Sequence, residues 1–463
     1  MKNKKAQKLS EKERQQLILE KNKEKKKKRT RIILISLISV VVAAAVGVGV
    51  YLLAGGAFMS DEAAFEADLK ENTAKKNPAG SALDRAGLRE GDYSYAIYKD
   101  GTATLSYYWG DAKEITVPEK LDGHKVTAIG QSCFYNKTEL ESVTLPESVA
   151  YFEEYAFQRC AVTSVNIPKE NTVIKEGTFA DCVYLKEVTL PDTVTEIATG
   201  AFYGCKALEK ITLPESLEKI ADYAFGGCTS LSEIDLPEKV KTLGAYIFTE
   251  CTSLKAAVIP AGIKEIPEAA FNNCTALSEV TMPEGLEKIG LSAFYGCTAL
   301  ETAAIPSTVK EIGDYAFCYC TVLDGAVPPD GVEKLGQYVF ADCKALTKMN
   351  IPEKITEIPA YCYASCTSLR DIAIPDTVKK IGDYAFTNCD TVKRVTVPEG
   401  VEVIGLCAFA GMDNLLTVDM PMSLISIGEG AFADSTKVVL MCVQEDSFAW
   451  EYADKYNVEA KIK

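Results

Sequence analysis

Histidine occurs once in the 463-residue chain, as His124, and tryptophan only twice. A single imidazole leaves no set from which His-based general-base chemistry or a His-rich metal site is assembled. A glycine-rich phosphate loop is also missing. Positive charge is scarce outside the first 31 residues. Those carry 14 Lys+Arg against 4 Asp+Glu, so with −15 for the whole chain the remainder stands at −25. An acidic body argues against nucleic acid as its partner, because phosphate backbones attract cations.

Charge of either sign is absent from Ile32 to Ser60, "IILISLISVVVAAAVGVGVYLLAGGAFMS". About 20 apolar residues span a bilayer core as a helix, so the segment is long enough. The flanking "KEKKKKRTR" (Lys23–Arg31) is held cytoplasmic by the positive-inside rule, which puts the C-terminal body outside. The expected membrane contact is a single pass through Ile32–Phe58. A cleaved signal peptide is the alternative, kept open by "AGGA" (Ala54–Ala57). Its apolar region ordinarily runs only about 7–15 residues behind a shorter basic start.

What the chain does have is a period. Phe134, Phe157, Phe179, Phe202, Phe225, Phe248, Phe271, Phe294, Phe317, Phe340, Tyr363, Phe386, Phe409 and Phe432 follow one another at 23 residues, with one step of 22 between Phe157 and Phe179. Five residues before each aromatic stands an apolar residue such as Ile129, Ile197, Ile220 or Ile266, and twelve after it, mid-chain, comes proline, as at Pro214, Pro237 and Pro260. The segment before the proline alternates, as in "LEKITLP" (Leu208–Pro214), which predicts a short strand with two unlike faces. Proline removes a donor and ends it. Each repeat therefore reads as a strand, a turn and a tight return around "IGxYAF". One repeat cannot bury its own apolar columns, but stacked neighbours can.

Eleven of the 16 cysteines fall in one column: Cys160, Cys182, Cys205, Cys228, Cys251, Cys274, Cys297, Cys320, Cys343, Cys366 and Cys389. Such a column reads as small buried hydrophobes. Rungs about 4.8 Å apart with parallel Cβ vectors miss the roughly 3.8 Å a disulfide wants. A ladder also diverges, where zinc needs four converging ligands. No metal and no cofactor are expected. Cys133 and Cys362 read as core, and Cys318, in "CYC", reads as an exposed thiol. Many unpaired thiols on an exported protein point to a reducing or oxygen-poor habitat.

The repeat "LPESLEKIADYAFGGCTSLSEIDLP" (Leu213–Pro237) resembles the BspA-like leucine-rich repeats of microbial cell-surface proteins. The resemblance runs from about Lys113 to Lys437, and departs from the better-known leucine-rich pattern in placing proline where an Asn/Cys ladder is usual. It implies an α+β right-handed leucine-rich-repeat solenoid of about 14 coils, displayed at a surface to bind protein or glycan, with no reaction. The expected layout is a cytoplasmic tail (1–31), a transmembrane helix (32–59), a tether (60–92), an N-terminal β-hairpin cap (93–112), the solenoid (113–437) and a helix–strand C-terminal cap (438–463).

Two stripes are candidate binding residues. On the strands, positions two and four before the proline face outward and are mostly polar, but Ala256/Val258, Thr302/Ala304 and Gly325/Val327 are not. Of these, Ala256, Val258, Thr302, Ala304 and Val327 form the first candidate, a small apolar docking spot. The competing explanation is that such residues simply tolerate strands. Tyr223, Tyr246, Tyr315, Tyr338, Tyr361 and Tyr384, two before the aromatic column, form the second. Tyrosine there also suits the edge of a core, with its hydroxyl in water. An enzyme would interrupt the period with an insertion carrying its catalytic groups, yet the period is unbroken from Phe179 to Phe432. The sequence leaves open an envelope spacer without a specific ligand.

Overall fold

Every coil has two extended segments and a turn that uses left-handed backbone twice. The second segment is a parallel strand in every coil, whereas the first is a strand in some coils and lacks ladder pairing in others, as at 233–235 and 325–327. The computed structural model describes residues 76–463. The basic tail, the apolar segment Ile32–Phe58 and the tether before residue 76 lie outside the described residues. Among those described, no helix is long and apolar enough to cross a membrane.

The first strand of a coil is the alternating one. Glu187–Thr189 pairs in parallel with Lys210–Thr212, and Arg394–Thr396 with Thr417–Asp419. The middle residue points inward and its neighbours outward, as in Lys210–Thr212, where only Ile211 is buried. The proline that follows opens a turn: the carbonyls of Pro214, Pro237 and Pro283 each accept from the N–H three residues on, at 3.0 Å. The column five before the aromatic, read from sequence only as apolar, is a second strand. Ile197, Ile220 and Leu243 pair coil to coil, as do Ile266, Ile289, Ile312 and Leu335. One residue further on, glycine recurs for a steric reason. A Cβ on Gly290, Gly336 or Gly428 would lie 2.4–2.8 Å from backbone of the preceding coil.

The return segment alternates conformation. In all fourteen coils the residues two before and two after the aromatic have positive φ, as at Tyr223 (56°) and Gly227 (72°), or Tyr338 (57°) and Asp342 (58°). Left-handed backbone costs a non-glycine residue about 1–2 kcal/mol. The hydrogen bonding accounts for why it persists. The N–H groups of Tyr223, Phe225 and Gly227 reach the next coil's Ala245, Ile247 and Thr249 carbonyls at 2.8–3.0 Å, while those of Gly226 and Cys228 close turns within the coil at 3.0 and 3.2 Å. The alternation keeps these buried backbone groups paired. The coils are strand and turn throughout, so the architecture is a β-solenoid. The helical part of the α+β expectation is met among the described residues only by α1 (Phe448–Tyr456) in the C-terminal cap.

The core is a continuous aromatic stack. Ring centroids from Phe134 to Phe432 succeed one another at 5.1–5.8 Å, with planes mostly within 15° of parallel. Tyr108 closes the first end at 6.1 Å and Tyr452 of α1 the last, edge-on at 5.9 Å. Tyr363, the one phenol in the column, donates its hydroxyl to the Asn350 carbonyl at 2.9 Å.

Both caps extend the coil ladders. β2 (Tyr93–Tyr98) and β3 (Thr102–Tyr108) form the hairpin, and β3 pairs in parallel with His124–Ile129, which leads into the second-strand ladder. The structure corrects the tether here. β1 (Leu83–Glu90), in residues read as linker, pairs antiparallel with β2, so the cap begins before Tyr93. Its irregular register and polar composition hid it from period-2 reading. At the other end Ser447 caps α1 by accepting from the Trp450 N–H at 3.3 Å, and Glu459–Ile462 pairs with Val439–Cys442.

Candidate functional site

The cysteine column is structural. Ten rungs from Cys182 to Cys389 donate Sγ–H to the carbonyl of the preceding coil's aromatic at 2.9–3.2 Å, Cys228 to Phe202 among them. Ser435 takes the same slot and donates to Phe409 at 2.8 Å. Burial pushes the Cys251 and Cys389 thiols up to about 12, and Cys228 also well above its ordinary value. All sixteen cysteines are unbridged. Cys318 corrects the reading of an exposed thiol: it is 2% exposed, packed with Ala341, Ala364 and partly buried tyrosines. Only Cys407, in the tyrosine column, is partly exposed. A thiol reagent should therefore titrate about one cysteine of the native protein and all sixteen after denaturation. Rapid labelling of several native thiols would contradict the buried ladder.

The strand-face residues lie where the alternation puts them. Ala256, Val258, Thr302 and Ala304 are exposed, and Val258 and Val327 reach 59% and 39% exposure. Pairing aligns Val258 with Thr281, and the columns continue to Ala304 and Val327. The neighbouring column is not free of charge, because Glu279 stands between Ala256 and Thr302. What remains uncharged is the single column Val258–Thr281–Ala304–Val327, which continues without charge through Asn350, Ala373 and Thr396, between Asp235 and Asp419. Val258, Ala304 and Val327 are its apolar part.

The tyrosines fall into two groups. Tyr223 and Tyr246 stack at 4.7 Å, and Tyr315, Tyr338, Tyr361 and Tyr384 form a second stack at 4.6, 4.3 and 4.6 Å. Ala269 and Ser292 separate the groups. All six tyrosines are half-buried. Burial pushes Tyr361 and Tyr384 up to about 12, helped by the ionisable Tyr384 beside the first and Cys407 beside the second. Tyr246 donates to Glu268 at 2.5 Å. His124 lies in the N-terminal cap, its Nδ1 3.0 Å from the Gly101 carbonyl oxygen.

This geometry is that of a leucine-rich-repeat solenoid. The model for the BspA type leucine-rich repeat region matches residues 105–211, 195–324 and 322–439, and the chain belongs to that family. No curated protein sequence matches it. Among solved structures, a leucine-rich repeat protein from Bacteroides ovatus is 28% identical, with a TM-score of 0.73 over 81% of this chain and 99% of that one. A leucine-rich cell surface protein from Faecalibacterium prausnitzii is 26% identical, with a TM-score of 0.47 over 77% and 94%.

Proposed function

We propose that the chain is a membrane-anchored, extracytoplasmic display module that binds a protein or glycan through its solenoid and catalyses no reaction. The anchor is Ile32–Phe58, with the basic tail on the cytoplasmic side. Membership of the leucine-rich-repeat family supports an interaction role. The observation that carries the strand-face assignment is the run of exposed apolar residues Val258, Ala304 and Val327 in an uncharged column, in register at one residue per coil. Charge depletion with exposed apolar area marks the centre of protein interfaces.

The test is binding of the full chain, in mild detergent, to arrays of matrix proteins, cell-surface proteins and glycans. A variant carrying Val258→Glu, Ala304→Glu and Val327→Glu should bind a hit at least 100-fold more weakly. Its melting temperature should be unchanged, because all three side chains face solvent. Undiminished binding would move the site off the strand face. A folded sample silent across the arrays would favour the spacer reading.

A further inference from the structure

The cap strand Glu459–Ile462 leaves one edge of its sheet open. It pairs in parallel with Val439–Cys442 on one side, and among the described residues no strand pairs with the other. The Lys463 N–H reaches back to the Cys442 carbonyl at 2.9 Å, so odd-numbered residues turn their backbone groups toward the neighbouring strand. Those of Ala460 and Ile462 therefore point away from it, as the donors and acceptors of an edge that can take a further strand. The side chains are unfinished as well. Ile462 continues the column of Val397, Met420 and Cys442, which are 0–3% exposed, yet is itself 44% exposed.

This strand is complementary to itself. A two-fold axis through Ala460 sets Ala460 against its own copy, Ile462 against Val458 of the second copy, and Glu459 against Lys461 of the second copy. Apolar residues then meet on the inner face and opposite charges on the outer, and each off-axis contact occurs twice. Glu459 and Lys461 already touch at 2.9 Å within the strand, so pairing closes a square of alternating charge. The neighbouring in-phase registers fail, because one opposes Lys461 to Lys461 and the other Glu459 to Glu459. Out-of-phase registers set inner against outer side chains. Lysine on an edge deters an arbitrary added strand, but here it selects the one that brings a glutamate. We infer that this edge joins two copies of the chain tail to tail, as one sheet continued across a two-fold axis. The two solenoids run in opposite directions from the joint, which carries their N-terminal caps to opposite ends. With the anchor reading given above, on which this part of the inference rests, such a pair bridges two facing membranes. One strand is a small contact, below about 1,200 Å², so the dimer is weak, with a dissociation constant on the order of 10–100 µM. Copies crowded on two membranes make many such contacts at once.

The test is sedimentation equilibrium of the full chain in density-matched detergent, from about 1 to 200 µM. The parent should pass from monomer to dimer over this range. Glu459→Lys and Lys461→Glu, both at exposed side chains, should each weaken the dimer at least tenfold, because like charges then stand opposite one another. Mixed in equal amounts the two variants should dimerise again, since two lysines now face two glutamates. A parent that stays monomeric at about 200 µM overturns the inference. So does a dimer that neither reversal weakens, which places self-association elsewhere, or a mixture that remains monomeric. Phosphatidylcholine vesicles carrying the parent chain should cluster, and those carrying either single variant should not. A charge-dependent dimer in detergent without vesicle clustering overturns the membrane bridge and upholds the joint. Every one of these outcomes leaves the strand-face test standing.

Discussion

Between about pH 8.5 and pH 10 the solenoid should lose stability steeply, with its urea midpoint collapsing toward zero. The cause is the cysteine ladder. An unfolded thiol has a pKa of about 8.5. Burial raises Cys251 and Cys389 to about 12, and Cys205 and Cys228 lie well above their ordinary value too. Folding therefore favours the protonated form. The ladder's contribution is complete below the unfolded pKa and is lost as pH rises toward the folded one. Each rung loses about 1.4 kcal/mol per pH unit once the solution passes about pH 8.5. Over eleven rungs that is on the order of 10 kcal/mol by about pH 9.5, comparable with the whole stability of many domains. Far-UV circular dichroism in urea, with reductant present, measures the midpoint at each pH. A variant with Cys228→Ser, Cys251→Ser and Cys274→Ser should show a shallower pH slope. Serine does not titrate there, and Ser435 demonstrates that a hydroxyl reaches the same carbonyl. A midpoint independent of pH from 7.5 to about 10 would refute the linkage.

Phe294→Ala should destabilise the centre of the rod by about 3–5 kcal/mol, the range for truncating a buried phenylalanine without collapse of the site. Phe294 is fully buried between Phe271 at 5.4 Å and Phe317 at 5.2 Å, both nearly parallel to it. Neighbouring coils are held by backbone ladders on both sides, so the cavity cannot close by side-chain movement alone. In a solenoid each coil touches only its neighbours, so a weak central interface uncouples the two halves. The two tryptophans report on this, because Trp109 lies in the N-terminal cap and Trp450 in α1. In the parent chain the two ends should unfold at one urea concentration. In Phe294→Ala, fluorescence from single-tryptophan versions made with Trp109→Phe or Trp450→Phe should separate into two midpoints. Coincident and unshifted midpoints would mean that the stack does not couple the coils.

Spacing alone determined the architecture. A step of 23 residues that recurs through Phe432 forces every column to stack on itself, and what stacks is then fixed by chemistry: phenylalanine inside, cysteine in a narrow slot, proline after the strand. The inward and outward faces of the first strand were legible for the same reason, and with them the exposure of Val258, Ala304 and Val327. The tertiary structure decided what depends on contacts across coils. The second strand is only two residues long in most coils, too short for any alternation to register, and exists because its neighbours pair with it. The two left-handed positions per coil are occupied by tyrosine, serine, aspartate and alanine as well as glycine, so composition does not announce them. They are held by hydrogen bonds to the next coil. Cys318 looked exposed because it lies off the main column, yet it is covered by side chains about one period away, Ala341 and Tyr295 among them. The sequence by itself set which residues recur. Only the stacked structure decided which columns share a face, because side chains distant along the chain become neighbours when the coils close over one another.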